Sequence, residues 1–376
     1  MTEAKRMPET MRRTALFEAH RALGAKLVPF GGFEMPVSYA GILREHDAVR
    51  RRAGLFDLSH MGQFALRGAN VGAWAETLTV NLVANMKPGQ ARYNIFTNER
   101  GGAHDDVIFY RLDAERWLLV VNASNAEAMW QLVSAAAPPG IELVNNHGVD
   151  ALIAIQGPRS VEILRDFVAA DLAAMKYYSC LETRVRGVDS VVARTGYTGE
   201  DGFEIYIPSD EATSVRVWNE ILEAGKEFGV VPCGLGARNT LRLEARLPLY
   251  GHEISDAINV WEAGLDRFCK MEKPDFIGRA SLEKAKTEET KRALVGLEMI
   301  DRGIARDGYK VLNASGSEIG YVTSGSPAPF LKKNIALAYV PGEFAALGTE
   351  LKVEIRGQGV KAQVVPTPFY RKPKKV

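Results

Sequence analysis

The texture of this sequence changes near residue 283, and that change limits what the chain can fold into. Residues 283–292 carry seven charged side chains in ten, which reads as a solvated helix end or connector. Beyond them every apolar run is short. Residues 294–299, 309–312, 319–323, 335–340, 351–355 and 360–365 alternate with Gly303, Gly316, Gly325, Gly342 and Gly357. Short β-prone runs with regular glycine punctuation predict an all-β unit, a barrel or a sandwich, over residues 290–376.

Residues 1–285 read differently. Leu16, Phe17 and Leu23 share a helical face that stops at Gly24, and Met129, Leu132 and Val133 repeat the pattern within 125–136. After Gly157-Pro158, the spacing of Val161, Leu164, Phe167 and Val168 is helical, as is that of Val215, Trp218, Ile221 and Leu222 ahead of Gly225. Strand patterns lie between them at 107–112, 117–121, 152–155, 191–194 and 203–207. The fold class is therefore α+β, and 376 residues leave room for two or three separately cored units at a prior of about 150 residues each.

Composition excludes several functions. With 47 Lys+Arg against 46 Asp+Glu there is no bulk field to attract nucleic acid or an anionic membrane. The one dense basic cluster, Arg371, Lys372, Lys374 and Lys375, reads as a solvated tail. No run reaches the ~18 apolar residues of a membrane span, and residues 1–13 lack a signal-peptide core. Glu3 and Glu9 argue against a transit peptide. Cys180, Cys233 and Cys269 are too widely spaced for a CxxC pair, which points to a reduced, cytoplasmic setting. The six histidines show no ligand spacing, so no metal site is expected. A P-loop, a GxGxxG after a strand, HExxH and GxSxG are all absent. In Asp57-Leu58-Ser59-His60 a triad-like relay is geometrically poor, because adjacent strand residues point to opposite faces.

Three constellations remain. Asp105-Asp106 follows Gly101-Gly102 at the entrance to an apolar strand. If one carboxyl turns inward, desolvation raises its pKa and hydrogen bonds lower it, which suits proton handling; otherwise the pair is an exposed turn. The stretch Thr195-Gly196-Tyr197-Thr198-Gly199-Glu200-Asp201-Gly202-Phe203-Glu204 is a glycine-rich loop leading into a strand. Glu204 there can accept paired N–H donors from a heterocycle, although a plain hairpin loop gives the same pattern. Arg238, Arg242 and Arg246 recur every four residues from a helix start. Such a row can present planar donors to a carboxylate or a ring carbonyl, or simply lie on a solvated face.

With these residues in view, the chain resembles the aminomethyltransferase family, the tetrahydrofolate-dependent T-proteins of the glycine cleavage system. The likeness runs over nearly the whole length. It takes in Phe30-Gly31-Gly32-Phe33-Glu34-Met35-Pro36-Val37, Gly54-Leu55-Phe56-Asp57-Leu58-Ser59-His60-Met61-Gly62 and the loop 97–106. It continues through Gly196-Tyr197-Thr198-Gly199-Glu200-Asp201-Gly202, residues 238–244, Leu249-Tyr250-Gly251, Glu262-Ala263-Gly264-Leu265, Thr323-Ser324-Gly325 and 331–340.

The resemblance implies a three-lobed, cloverleaf-like fold with folate at its centre and the C-terminal β-barrel as one leaf. It implies transfer of the methylene of an aminomethyl group from the dihydrolipoyl arm of the H-protein to tetrahydrofolate, with release of ammonia. P-protein and L-protein would be functional partners. Asp106 falls on the family's catalytic carboxylate, and Glu204 and Arg238 fall on its folate-binding positions. Tyr93, Tyr197 and Met61 match positions that line the pocket, with Asn122 and Trp261 as neighbours. Some residues depart from the family pattern: Phe33 stands for the usual tryptophan, Asn239 for aspartate, Arg246 for glycine and Ser326 for threonine. They leave open a related folate-dependent demethylase acting on a small methylated amine. A non-catalytic folate-binding branch, which carries Lys-Gly-Cys-Tyr-x-Gly-Gln, differs from Arg194-Thr195-Gly196-Tyr197-Thr198-Gly199-Glu200 here.

Overall fold

A computed structural model describes residues 11–208, 210–287 and 292–373. The chain start with Glu3 and Glu9, residues 288–291 of the charged connector, and Lys374 and Lys375 lie outside the described residues.

The residues before the connector build two large sheets that share a core, beside a two-stranded hairpin. One is five-stranded, in the order Gln90–Thr97, Ala103–Arg111, Arg116–Val121, Gly62–Arg67, Glu142–Asn145, and is antiparallel throughout. The other is six-stranded, in the order Cys180–Val185, Val188–Ala193, Gly202–Ile207, Ala151–Gln156, Gly54–Asp57, Val231–Pro232, with only the last pair parallel. Central strands such as Arg116–Val121 and Ala151–Gln156 read as nearly unbroken apolar runs because both faces are covered. Val107 and Phe109 point to a cluster with Val71, Met129 and Val133 from helices Val71–Leu78 and Ala126–Ala136. Ile108 and Tyr110, on the opposite face, meet Leu152, Ala154 and Tyr206 of the six-stranded sheet. The outer face of that second sheet packs Ile153, Ile155 and Ile205 against Val217, Trp218 and Ile221 of helix Glu211–Gly225.

The expected helix after Gly157-Pro158 is only Ser160–Leu164. Phe167 and Val168 leave the helix yet join the same core, so burial rather than helical continuation explains their spacing. Several strands carried no clear sequence signal. Gln90–Thr97 is one, and hairpin Lys26–Phe30 with Phe33–Ser38 is another. Its turn needs Gly31 at φ +56°, where a Cβ would lie 2.7 Å from the Cβ of Ala123.

All six apolar runs beyond the connector become strands of one closed barrel. Its order is Ala293–Met299, Lys333–Val340, Glu318–Ala328, Lys310–Leu312, Glu350–Ile355, Gln358–Val365, and the last strand pairs back with the first. Val295, Leu297, Val322, Ala336 and Val353 fill its interior. Closure leaves no open edge in a lobe with little else to cover one. Among the described residues no helix is long and apolar enough to cross a membrane.

Candidate active site

Where the facing sheets part, they enclose a cavity of about 330 Å³, within the size range of small-molecule sites. Met61, Tyr93, Asp106, Tyr197, Glu204 and Arg238 all line it, so one space collects every site residue expected from the sequence. Asn122 lines it as well. Trp261 does not: it packs in the cluster between the first lobe and the barrel and donates Nε1–H to Leu282 O at 2.9 Å.

At one end sits the acidic pair. Asp105 and Asp106 are neighbours in strand Ala103–Arg111; Asp105 is fully buried and Asp106 faces the cavity. Ile108 pairs with Val120, and the same register sets Asn122 against Asp106, just past the end of strand Arg116–Val121. The Asn122 amide donates to Asp106 Oδ1 at 2.8 Å and to Asp105 Oδ1 at 2.7 Å. From the other neighbouring strand the Tyr93 hydroxyl donates to Asp106 Oδ2 at 3.0 Å. Burial pushes the Asp106 carboxyl up to about 6, against these two donors, which pull it down. Asp105 is raised well above the usual carboxylate range, first by burial and then by the charge of Asp106. The result is a carboxyl that is raised toward the neutral pH range and held from both sides.

The other end is built around Glu204, the third residue of strand Gly202–Ile207. Its Oε2 accepts hydroxyls from Thr195 at 2.5 Å, Tyr110 at 3.0 Å and Tyr206 at 3.5 Å. No described residue donates to Oε1. Tyr110 comes from the strand of Asp106, four residues on and on the same face, so one strand serves both ends. The expected glycine-rich loop does join two paired strands and also forms cavity wall. A Cβ on Gly196 would lie 2.0 Å from Gln156 Oε1 and would displace that buried amide from Thr195 O and Thr198 Oγ1. Arg238, from helix Leu235–Glu244, lies over the Tyr197 ring with 4.4 Å to the centroid, and burial lowers its basicity. It makes no hydrogen bond or ion pair with any described side chain or carbonyl. An unpaired guanidinium facing a cavity awaits an anionic or carbonyl-bearing ligand.

These groups rest on two buried ionic networks. Arg242, one turn after Arg238, meets Glu253 at 2.8 Å and Ser324 Oγ at 2.7 Å, while Thr323 Oγ1 donates to Glu253 at 2.6 Å. Glu253 also accepts from Leu249 N at 3.0 Å, which fixes the cavity-lining segment between helix and barrel. Arg50 binds Glu244 at 2.8 Å and Glu200 at 2.9 Å, accepts Tyr370 against its face at 3.9 Å, and donates to Thr198 O. The arginine row is therefore not a solvated face: Arg242 is an internal ion pair, and Arg246 lies past the helix end at φ +53°.

The sequence of the chain and its fold agree with known proteins. Residues 16–273 match the family described as GCVT N-terminal domain, and residues 292–371 match the glycine cleavage T-protein C-terminal barrel domain. The chain belongs to the aminomethyltransferase family. It is 55% identical over 371 residues to an aminomethyltransferase of Acidobacterium capsulatum, covering 98% of each chain. Another, from Koribacter versatilis, is 55% identical and covered to 97%. A crystal structure of the glycine cleavage system aminomethyltransferase T from Bartonella henselae superposes with a TM-score of 0.90 at 33% identity, over 96% of this chain and 98% of that one. The protein is a one-carbon transferase of the glycine cleavage system.

Sequence reasoning did not find Tyr110, Tyr178, His60 or His252 as cavity residues. Only Tyr110 carried a signal, its i+4 position from Asp106 on a strand. The Asp57–Ser59–His60 stretch forms no relay: Ser59 Oγ donates to Asp57 at 2.6 Å, Asp57 pairs with His20 at 2.9 Å, and His60 Nδ1 is buried without a described partner. Burial lowers His60 to about 3, so it stays neutral.

Proposed function

We propose that this cavity binds tetrahydrofolate, and that the enzyme transfers to it the methylene of an aminomethyl group carried on the dihydrolipoyl arm of the H-protein, releasing ammonia. The observation that supports this reading is one cavity that holds the unpaired Arg238, Glu204 with its Oε1 free of described donors, and an Asp106 carboxyl raised to about 6. A reduced pterin fits such a set. Glu204 would accept the N–H pair of its aminopyrimidine edge, Arg238 would meet a carbonyl or carboxylate oxygen, and Tyr93, Tyr197 and Met61 would form the apolar wall. When bound, the folate supplies the two amines that receive the one-carbon unit.

Asp106 is the catalytic carboxylate in this reading. As an anion it offsets positive charge developing on the transferred carbon, and it accepts a proton from the substituted amine. Asn122 and Tyr93 orient it and stabilise its ionised form. Walls of tyrosine, leucine and methionine exclude water, which strengthens each of these interactions. The H-protein is the direct partner, with P-protein and L-protein acting elsewhere in the same system. The free, buried cysteines support a cytoplasmic enzyme. The division into a folate-binding part, 1–285, and a barrel part, 290–376, belongs to the same reading.

The test is ammonia release in a reconstituted reaction. It should require both aminomethylated H-protein and tetrahydrofolate. Asp106→Asn should lower the rate by about 10²–10⁴-fold while folate still binds. Turnover of a small methylated amine without H-protein would replace this reading with that of a demethylase.

A further inference from the structure

Joining a methylene to two amines breaks two N–H bonds, and the sulfur and the ammonia that depart each gain a proton. This count rests on the function proposed above. Asp106 is one carboxyl and carries one proton at a time; it would have to serve these transfers in turn, and a second group on the cavity wall would let them run side by side. Most titratable groups of the cavity are committed. Glu204 Oε2 holds three hydroxyls, the Tyr197 hydroxyl is given to Pro248 O, and that of Tyr93 to Asp106. His60 is 1% exposed with Nδ1 sealed from solvent.

His252 is different. It lines the cavity, and its Nδ1 lies 2.9 Å from Thr323 O on the barrel strand Glu318–Ala328. A carbonyl oxygen only accepts, so Nδ1 carries the hydrogen and the neutral ring presents a lone pair at Nε2. Nothing among the described residues donates to Nε2, and the side chain is 34% exposed. Thr323 is itself held by Glu253, at the point where the barrel strand shifts register between Val322 and Ser324. The charged groups facing the ring are Asp307, 3.7 Å from Nδ1, and neighbouring Glu253, whose charge Arg242 meets. An imidazole on the cavity wall with one nitrogen fixed by an acceptor and the other without a described partner is equipped to act as a base.

We propose that His252 is the second proton carrier. Its Nε2 takes one N–H proton from the amine being substituted and delivers it to the departing ammonia. Asp106 moves the other to the departing sulfur. Two N–H bonds break, one N–H and one S–H form, and nothing is oxidised or reduced.

The experiment has two arms. In protein with ¹⁵N-labelled imidazoles, His252, assigned by loss of its signal in His252→Asn, should be the Nδ1–H tautomer, and its Nε2 resonance should move when 5-formyltetrahydrofolate is added. In turnover, His252→Asn keeps a donor to Thr323 O and should lose about 10²-fold or more in kcat with unchanged folate affinity. Added imidazole should restore part of the rate of His252→Ala. An Nε2–H tautomer indifferent to folate, or a His252→Asn enzyme turning over at the wild-type rate, overturns the assignment. Failure of the wild type to bind the folate overturns the functional reading itself.

Discussion

Arg238 and Arg242 leave the same helix one turn apart, and their surroundings are opposite. Arg242 is 2% exposed at its side chain and ends on Glu253, Ser324 and the backbone of Leu247. Arg238 lies on an aromatic ring at the cavity wall and ends on nothing else among the described residues. The first has its hydrogen-bonding capacity met inside the protein, so its work is cohesion between the helix, the segment after it and the barrel. The second keeps its capacity for a ligand. Taking a guanidinium out of water is costly, fully for Arg242 and in part for the half-buried Arg238; only where the partner is missing does the cost point to function.

That contrast can be broken by experiment, and the largest effect belongs to the paired residue. Arg242→Ala leaves Glu253 buried and uncompensated, which should cost about 3–5 kcal/mol of stability; urea or thermal unfolding measures it, and a loss as small as that of a surface variant would remove the cohesive role. Arg238→Ala should leave the unfolding midpoint at or above that of wild type. It should weaken binding of reduced folate by an amount worth about 1.5–3 kcal/mol, read by calorimetry. Glu204→Gln, which keeps volume and an acceptor but loses charge, should weaken the same binding by about tenfold, or ~1.4 kcal/mol.

Smaller effects test the acidic end. Burial raises Asp106 above its unfolded value to about 6, so the folded state holds a proton that the unfolded chain has lost. The linked stability is complete below about pH 4 and is lost as pH rises through about 6. Asp106→Asn avoids that loss, and its advantage in melting temperature should open across this interval and stay level above it. A gap independent of pH would show that the carboxyl is not shifted upward. The smallest effect concerns Tyr93. Its hydroxyl favours the ionised carboxylate, so Tyr93→Phe should move the acid limb of kcat/KM to higher pH, by a fraction of a unit to about one. A downward move would reverse the assigned sense of that hydrogen bond.

The difference between the two arginines also marks how far the sequence could be read. Both satisfied the same i,i+4 pattern, and nothing local separated them. What separates them comes from outside the helix: Arg242 meets Glu253, 11 positions on, and Ser324, 82 positions on, and Thr323 in turn reaches Glu253 across 70. Asn122 was visible only as a neighbour because its link to Asp106 depends on sheet register. The strand Gln90–Thr97, which carries Tyr93, mixes polar and apolar residues on both faces. One face turns to the cavity and the other to core, so it has no clean alternation.

The sequence by itself determined the C-terminal strands, many of the other elements and the chemical repertoire. Glycine spacing and apolar run length dictated six short strands after residue 292, because runs so bounded can close a barrel but cannot form packed helices. The order of motifs pointed to Asp106, Glu204 and Arg238. Only the tertiary structure decided which polar groups are spent and which are available. Hydrogen bonds and ion pairs are saturable, and whether a donor is satisfied depends on segments that fold against it from far along the chain. The raised Asp106 carboxyl, the unpaired Arg238 and the unpartnered Nε2 of His252 are products of that packing.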